Sequence, residues 1–234
     1  MKLSDLNKIP TYVTNLPSNG EKITYRPYLT GEQKILLIAL ESKDELEINR
    51  AIKRIVEACI DKDDISNLTL FDVEFLFLQL RSKAVGETSN FKMKCSECEK
   101  FTDVSVPLPD VKVEMKESRE VQLSDDITLV MKFPKYGNVL NNDKIIKGTV
   151  KTEVMMETVY ECLDKIKTKD AIINLSDHSR AEIEEFVNSL NGEQFERILR
   201  FANDMPTLKY DLDYKCDHCG HDNTYTLKGL ADFF

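Results

Sequence analysis

The chain has 234 residues, 41% hydrophobic and 31% charged, a balance that excludes a disordered or fibrous protein and leaves enough apolar material for a sizeable core. Acidic residues outnumber basic ones 41 to 32, and the formal charge of -9 repels a phosphate backbone, which counts against nucleic acid as the main partner. Met1-Lys2-Leu3-Ser4-Asp5-Leu6-Asn7 lacks the apolar core of a signal peptide and no stretch reaches the roughly 18 apolar residues of a membrane span, so a cytosolic location is expected.

Residues 1–29 read as an N-terminal arm, with Pro10, Pro17 and the Ser18-Asn19-Gly20 turn signal, leading into a strand at Lys22 to Tyr28. Residues 30–87 read as three helices, whose starts are marked by Thr30 with Gln33, Ser42 with Glu45, and Thr69 with Asp72. In the middle helix Ile48, Ile52, Ile55, Val56 and Cys59 share one face, opposite Arg50, Lys53, Arg54 and Glu57. The first and third, Ile35 to Leu40 and Val73 to Leu80, are apolar nearly all round and are expected to be central or covered by a partner. Val73, Phe75 and Phe77 also alternate as a strand would.

Residues 88–134 turn to β character, with short runs at Asn90 to Lys94, Phe101 to Val106, Val111 to Met115 and Ile127 to Phe133. Residues 135–206 read as a helical insertion. Val150, Val154, Met155, Val159 and Leu163 form one stripe, and Ile183/Phe186/Val187/Leu190 and Phe195/Ile198/Leu199/Ala202 form two shorter helices. Asn191-Gly192 between these two predicts an antiparallel helical hairpin. Residues 207–234 return to strands, Thr207 to Lys215 and Asn223 to Leu227, and end in Gly229-Leu230-Ala231-Asp232-Phe233-Phe234. Without repeats or a flexible linker, residues 1–234 are expected to form a single interconnected unit.

Four of the six cysteines form two C-x-x-C pairs, Cys95/Cys98 and Cys216/Cys219, each between an entering and a leaving β-type run. Two residues between cysteines let a tight turn aim both thiolates at one point, and two such knuckles supply the four sulfurs of a closed tetrahedral zinc site. In a reducing cytosol metal is the expected use of such pairs. The alternative is two independent turns, redox-active or merely reduced, although a redox pair normally starts a helix. The 117 residues between Cys98 and Cys216 far exceed the roughly 15 to 20 of a compact ribbon, so most of the second half is an insertion within a split ribbon. Cys59 and Cys162 fall on apolar helix faces and read as small core residues.

No active site assembles from the remaining residues. The eight glycines form neither a dinucleotide fingerprint nor a phosphate loop, and of three histidines, His218 and His221 flank the second knuckle while His178 precedes a Ser179/Glu182 helix cap. Asp61-Lys62-Asp63-Asp64 opens like a calcium loop, but Ile65 and Ser66 stand where a ligand and the turn glycine belong. Phe233-Phe234 reads either as a tail packed on the protein itself or as an anchor for a partner.

Several stretches together resemble the baseplate hub family of T-even-like contractile-tailed phages: Tyr25-Arg26-Pro27-Tyr28-Leu29 running into Glu32 to Leu37, the segment Phe71 to Glu87, the two knuckles, and the Gly-Leu-Ala-Asp-Phe-Phe ending. The resemblance implies a protein without enzymatic activity, working with other hub or hub-assembly proteins in the host cytoplasm during assembly, or staying in the tail baseplate of the virion. Arg81, Lys83 and Gly86 then become a contact segment; a helix end with its dipole-favoured cations explains them equally.

The resulting expectation is an α+β fold, with helical bundles flanking a small antiparallel β-region that one zinc ion closes through Cys95, Cys98, Cys216 and Cys219. Its function is hub assembly through apolar surface on the first and third helices, with no membrane or small-molecule substrate. A zinc-ribbon regulator touching nucleic acid or RNA polymerase through a basic patch at Lys92, Lys94 and Lys100 is the alternative from another class. A hydrolase is a third, for which no residue constellation exists.

Overall fold

The computed structural model describes residues 8–115, 118–142 and 151–233. It is a mixed α/β structure with small antiparallel sheets, in two units: residues up to Met115 together with those from Thr207 onward form one, and Lys116–Pro206 the other. This differs from the single interconnected unit read from the sequence, and it moves the start of the insertion from residue 135 back to 116.

The first unit opens with an antiparallel hairpin of β1 (Tyr12–Asn15) and β2 (Lys22–Tyr25). The expected arm thus contains a strand of its own, four residues long and too short to show a period; its first seven residues lie outside the described ones. Pro27, which cannot donate to a ladder, ends β2 before Tyr28. Arg26 instead ties the next elements together. Its guanidinium pairs with both oxygens of Glu32, at 2.6 and 3.1 Å, and donates to Ala58 O at 2.9 Å.

Glu32 also accepts from Leu29 N at 2.6 Å, so α1 (Thr30–Ser42) starts from Leu29 rather than from a Thr30 cap. Ser42 closes α1 by donating to Ala39 O, and Asp44 caps α2 (Glu45–Cys59) by accepting from Leu46 N and Glu47 N. Helix α2 buries Ile52, Ile55, Val56 and Cys59, the face the spacing predicts. Burial holds the Cys59 thiol up to about 11.

The cap of α3 (Leu70–Ala84) is the predicted reciprocal one: Thr69 Oγ1 accepts from Asp72 N while Asp72 accepts from Thr69. The same buried carboxylate receives Ser18 N at 3.0 Å, pinning the β1–β2 turn to the helix. Residues 73–77 are helical, not extended, and Val73, Leu76, Phe77, Leu78 and Leu80 are all buried. Of the two helices that are apolar all round, α3 therefore uses its surface internally. Helix α1, by contrast, leaves Leu37, Ile38 and Leu40 in solvent, at 52, 58 and 45% exposure. Next come the hairpin of β3 (Thr88–Lys94) and β4 (Phe101–Pro107) and the short β5 (Lys112–Val113).

The second unit is built on four antiparallel strands: β6 (Glu120–Gln122), β7 (Thr128–Met131), β8 (Leu163–Lys167) and β9 (Ile172–Asn174), in the order β6-β7-β8-β9. Its helices are α4 (Tyr136–Asn141), α5 (Lys151–Cys162), α6 (Arg180–Asn188) and α7 (Gly192–Asn203). Leu129, Met131, Val159, Cys162 and Ile198 are its buried centre, and burial pushes the Cys162 thiol up to about 12. A helical insertion was expected here. Strand β8 was hidden because Leu163, its first residue, continues the stripe of Val154 and Val159; Val150 of that stripe lies outside the described residues. Asn191 caps α7 by accepting from Gln194 N, and α7 lies against α5 and β6.

The chain then re-enters the first unit as β10 (Leu208–Lys215) and β11 (Asp222–Lys228), which form a sheet in the order β11-β10-β5. Leu208 stands opposite Val113, so the two points where the insertion leaves and returns are paired neighbours. The 3-10 turn Leu230–Phe233 follows. Phe233 is fully buried with Leu78, Val104 and Val106, and its carbonyl accepts from Ser89 Oγ at 2.7 Å. Phe233 is thus core of its own unit; Phe234 lies outside the described residues.

Glu74 of α3 accepts from Leu230 N, yet burial dominates and pushes its carboxyl up to about 7. Between its ordinary value of 4.5 and 7 the folded chain holds a proton that the unfolded chain releases, so stability falls as pH rises through that window. Glu74→Gln keeps an accepting oxygen without the charge. Its melting temperature is expected to exceed that of the parent at pH 8, with the difference shrinking by pH 4.5, as differential scanning calorimetry at the two pH values checks.

Candidate metal centre

Each C-x-x-C pair occupies the tip of a hairpin, between β3 and β4 and between β10 and β11, and the two tips are built alike. Cys95 N donates to Lys100 O at 2.9 Å and Glu99 N to Cys95 O at 3.1 Å; Cys216 N donates to His221 O and Gly220 N to Cys216 O, both at 2.9 Å. The residue after each second cysteine takes the left-handed conformation, Glu99 at φ 59° and Gly220 at φ 74°. This turn aims amide hydrogens at the first sulfur, as with His218 N at 3.4 Å from Cys216 Sγ.

The two tips meet. Cys95 Sγ lies 3.7 Å from Cys219 Sγ, Cys98 Sγ lies 3.6 Å from Cys216 Sγ, and all four sulfurs lie within 4.8 Å of one another. Four sulfurs at about 2.3 Å from one tetrahedral ion stand about 3.8 Å apart, so this set could hold a metal. Cys95 and Cys216 are buried, at 1 and 2% exposure, while Cys219 reaches the surface. The amide hydrogens of Cys98 and Glu97 hold the Cys95 thiol below its usual range, and those of Cys219 and His218 bring Cys216 down to about 5. For Cys219 the His221 amide pulls the same way, but desolvation and the neighbouring sulfurs outweigh it and push the thiol up to about 12.

Two residues the sequence reading passed over lock the tips together. Thr102 and Asn223 each stand seven positions after the first cysteine of their own knuckle, and each reaches across to the other. Thr102 Oγ1 accepts from Asp217 N at 3.3 Å; Asn223 Oδ1 accepts from Ser96 N at 3.0 Å and Ser96 Oγ at 2.9 Å. Asn223 Nδ2 in turn donates to His221 O at 3.0 Å and points to Cys95 Sγ at 3.6 Å. Tyr214 Oη adds a bond to Lys94 O at 2.9 Å. The shared offset of seven was readable; its meaning required knowing that the hairpins face each other.

The other sequence candidates lie apart from this centre or have local duties. His218 Nε2 is 3.2 Å from Phe101 O, His221 is exposed, and His178 sits 3.7 Å from Glu182. Asp61 and Asp64 accept from Thr24 N and Ser66 N. Arg81 donates to Gly86 O at 3.4 Å, and Lys83 pairs with Glu87 and covers the Tyr12 ring at 5.3 Å. Gly86 takes φ 143°, open to glycine, so this segment serves the end of α3. The basic character around the first knuckle is offset, with Lys94 at 3.3 Å from Glu99 and Lys92 at 4.0 Å from Asp103. A depression of about 430 Å³ on β5, β10 and β11 is lined by charges of both signs, among them Asp110, Lys112, Asp211 and Lys228. No helix among the described residues is long and apolar enough to cross a membrane.

Comparison with known proteins gives a match over residues 9–234 to the family described as T4 bacteriophage base plate protein. The chain is also 21% identical over 218 residues to the baseplate hub assembly protein gp26 of Enterobacteria phage T4, covering 92% of this chain and 94% of that protein. No solved structure matches.

Asn223→Ala removes the acceptor that Ser96 N and Ser96 Oγ share and is expected to cost about 0.5–1.5 kcal/mol of stability in chemical denaturation. Glu99→Gly removes a left-handed side chain and Gly220→Ala introduces one. The first is expected to raise stability and the second to lower it, each by about 1 kcal/mol.

Proposed function

The chain belongs to the T4 bacteriophage base plate protein family, and we propose on that basis that it helps to build the baseplate hub of a contractile-tailed phage, without catalysis, by contacts with other hub or hub-assembly proteins. The observation that carries this reading is the similarity to a hub assembly protein along nearly the whole of both chains. Its place of action is then the host cytoplasm during assembly. The contacts fall to α1, whose Leu37, Ile38 and Leu40 stay in solvent, since the apolar surface of α3 is internal.

The second part of the proposal is one structural zinc ion held by Cys95, Cys98, Cys216 and Cys219, which turns the two facing hairpins into a split zinc ribbon. Four soft sulfurs at near-tetrahedral separations suit zinc. Such an ion contributes about 10 to 16 kcal/mol in small peptides, ample to hold two hairpin tips together. With four protein ligands it has no open position for chemistry, so its role is architectural. A regulator touching nucleic acid gains no support: the charge of -9 opposes it, and Lys92 and Lys94 of the first knuckle face carboxylates.

Native mass spectrometry of the chain co-expressed with the other hub proteins of its own phage reads metal and partner in one spectrum. The expected species is a complex of defined stoichiometry with one zinc per copy of this chain. A lone chain beside assembled hub proteins would contradict the assembly role, and a metal-free complex would contradict the zinc.

A further inference from the structure

Lys34, Leu37, Ile38 and Glu41 follow one another at the i, i+3, i+4, i+7 spacing that places them in a single stripe along α1, and all four are exposed. Two adjoining aliphatic side chains more than half in solvent mark a surface that gains by being covered. What distinguishes this stripe is the order of its charges. A cation stands at one end and an anion at the other, with the apolar pair between them.

An antiparallel copy of the same stripe, related by a two-fold axis passing between Leu37 and Ile38, satisfies every position at once. Leu37 meets the partner's Ile38, Lys34 comes beside the partner's Glu41, and Glu41 comes beside the partner's Lys34. Self-complementarity of this kind is what a two-fold contact requires. We propose that α1 is an isologous contact through which two copies of this chain associate. A partner of another kind would account for Leu37 and Ile38 but leaves the mirrored placement of Lys34 and Glu41 without a reason. This rests on the reading of α1 as a protein-contact face. A contact one helix wide lies at the small end of protein interfaces, so the dimer is weak and exchangeable, fit to yield the same face to a hub protein.

Sedimentation velocity of the full chain over about 1 to 200 µM tests this, a range that brackets a weak contact. The parent is expected to move from monomer toward dimer as concentration rises, while Leu37→Asp stays monomeric with an unchanged melting temperature. Lys34→Glu alone and Glu41→Lys alone each set like charges against one another twice, and each is expected to raise the midpoint about tenfold. The combined swap Lys34→Glu with Glu41→Lys restores the parental midpoint only if the contact is antiparallel and between identical chains. A parent that is monomeric throughout, or a combined swap no better than its single components, would overturn the proposal. The hub reading fails separately: a dimer that never joins the other hub proteins removes that reading alone, and a monomer that loses hub binding on Leu37→Asp removes this one alone.

Discussion

The meeting of two hairpin tips, which brings four cysteine sulfurs within 4.8 Å of one another, is the constraint that joins the distant parts of the first unit. The hairpins β3–β4 and β10–β11 come from opposite sides of a long insertion, yet their tips carry the same turn, the same left-handed residue after the second cysteine, and a reciprocal pair of bonds from Thr102 and Asn223. Neither hairpin has many strands to lean on: one stands as a pair, the other has only the short β5 beside it. Sheets of that size are marginal alone. They are joined at one end by the bonds of Thr102, Asn223 and Tyr214 and at the other by α3, with Leu78, Val104, Val106, Leu212 and Phe233 forming a common core. Closing a long loop costs only logarithmically more than closing a short one, so the length of the insertion is no obstacle.

Much of this architecture was legible in the residues. The two C-x-x-C pairs, the strands around them, the Thr69/Asp72 and Ser179/Glu182 caps and the one-sided helix α2 all follow from local rules that tertiary packing did not override. What escaped was decided by partners distant in sequence. Strand β1 exists because β2 pairs with it, and β8 because β7 and β9 flank it, although Leu163 extends a helical stripe. The starts of α1 and α2 shifted for the same reason: Glu32 is engaged by Arg26, leaving Leu29 as the boundary, and Ser42 is taken by the end of α1. Thr102 and Asn223 were invisible because a threonine and an asparagine after a turn say nothing until the second turn is placed opposite.

The same contrast separates what serves the fold from what faces outward. The charged Arg26, Asp72 and Lys83 each have their partners within the unit. Phe233, for which an anchor was the second reading, is core. Leu37, Ile38 and Leu40 of α1 are, by contrast, three large apolar side chains on one helix that the unit leaves in solvent. A proposed hub assembly factor needs such a face, and it needs the helix to be held rigidly. The bidentate Arg26–Glu32 pair provides this by fixing the start of α1 to the end of α2.

Hydrogen–deuterium exchange of the purified chain, with and without a zinc chelator, tests the central claim most directly, because it reads the hairpins and the insertion separately. If one zinc ion bound by the four cysteines holds the tips together, chelation releases protection across β3, β4, β10 and β11 and leaves β6 to β9 as they were. Identical protection in the two conditions, in a chain that carries no zinc to begin with, would contradict the account.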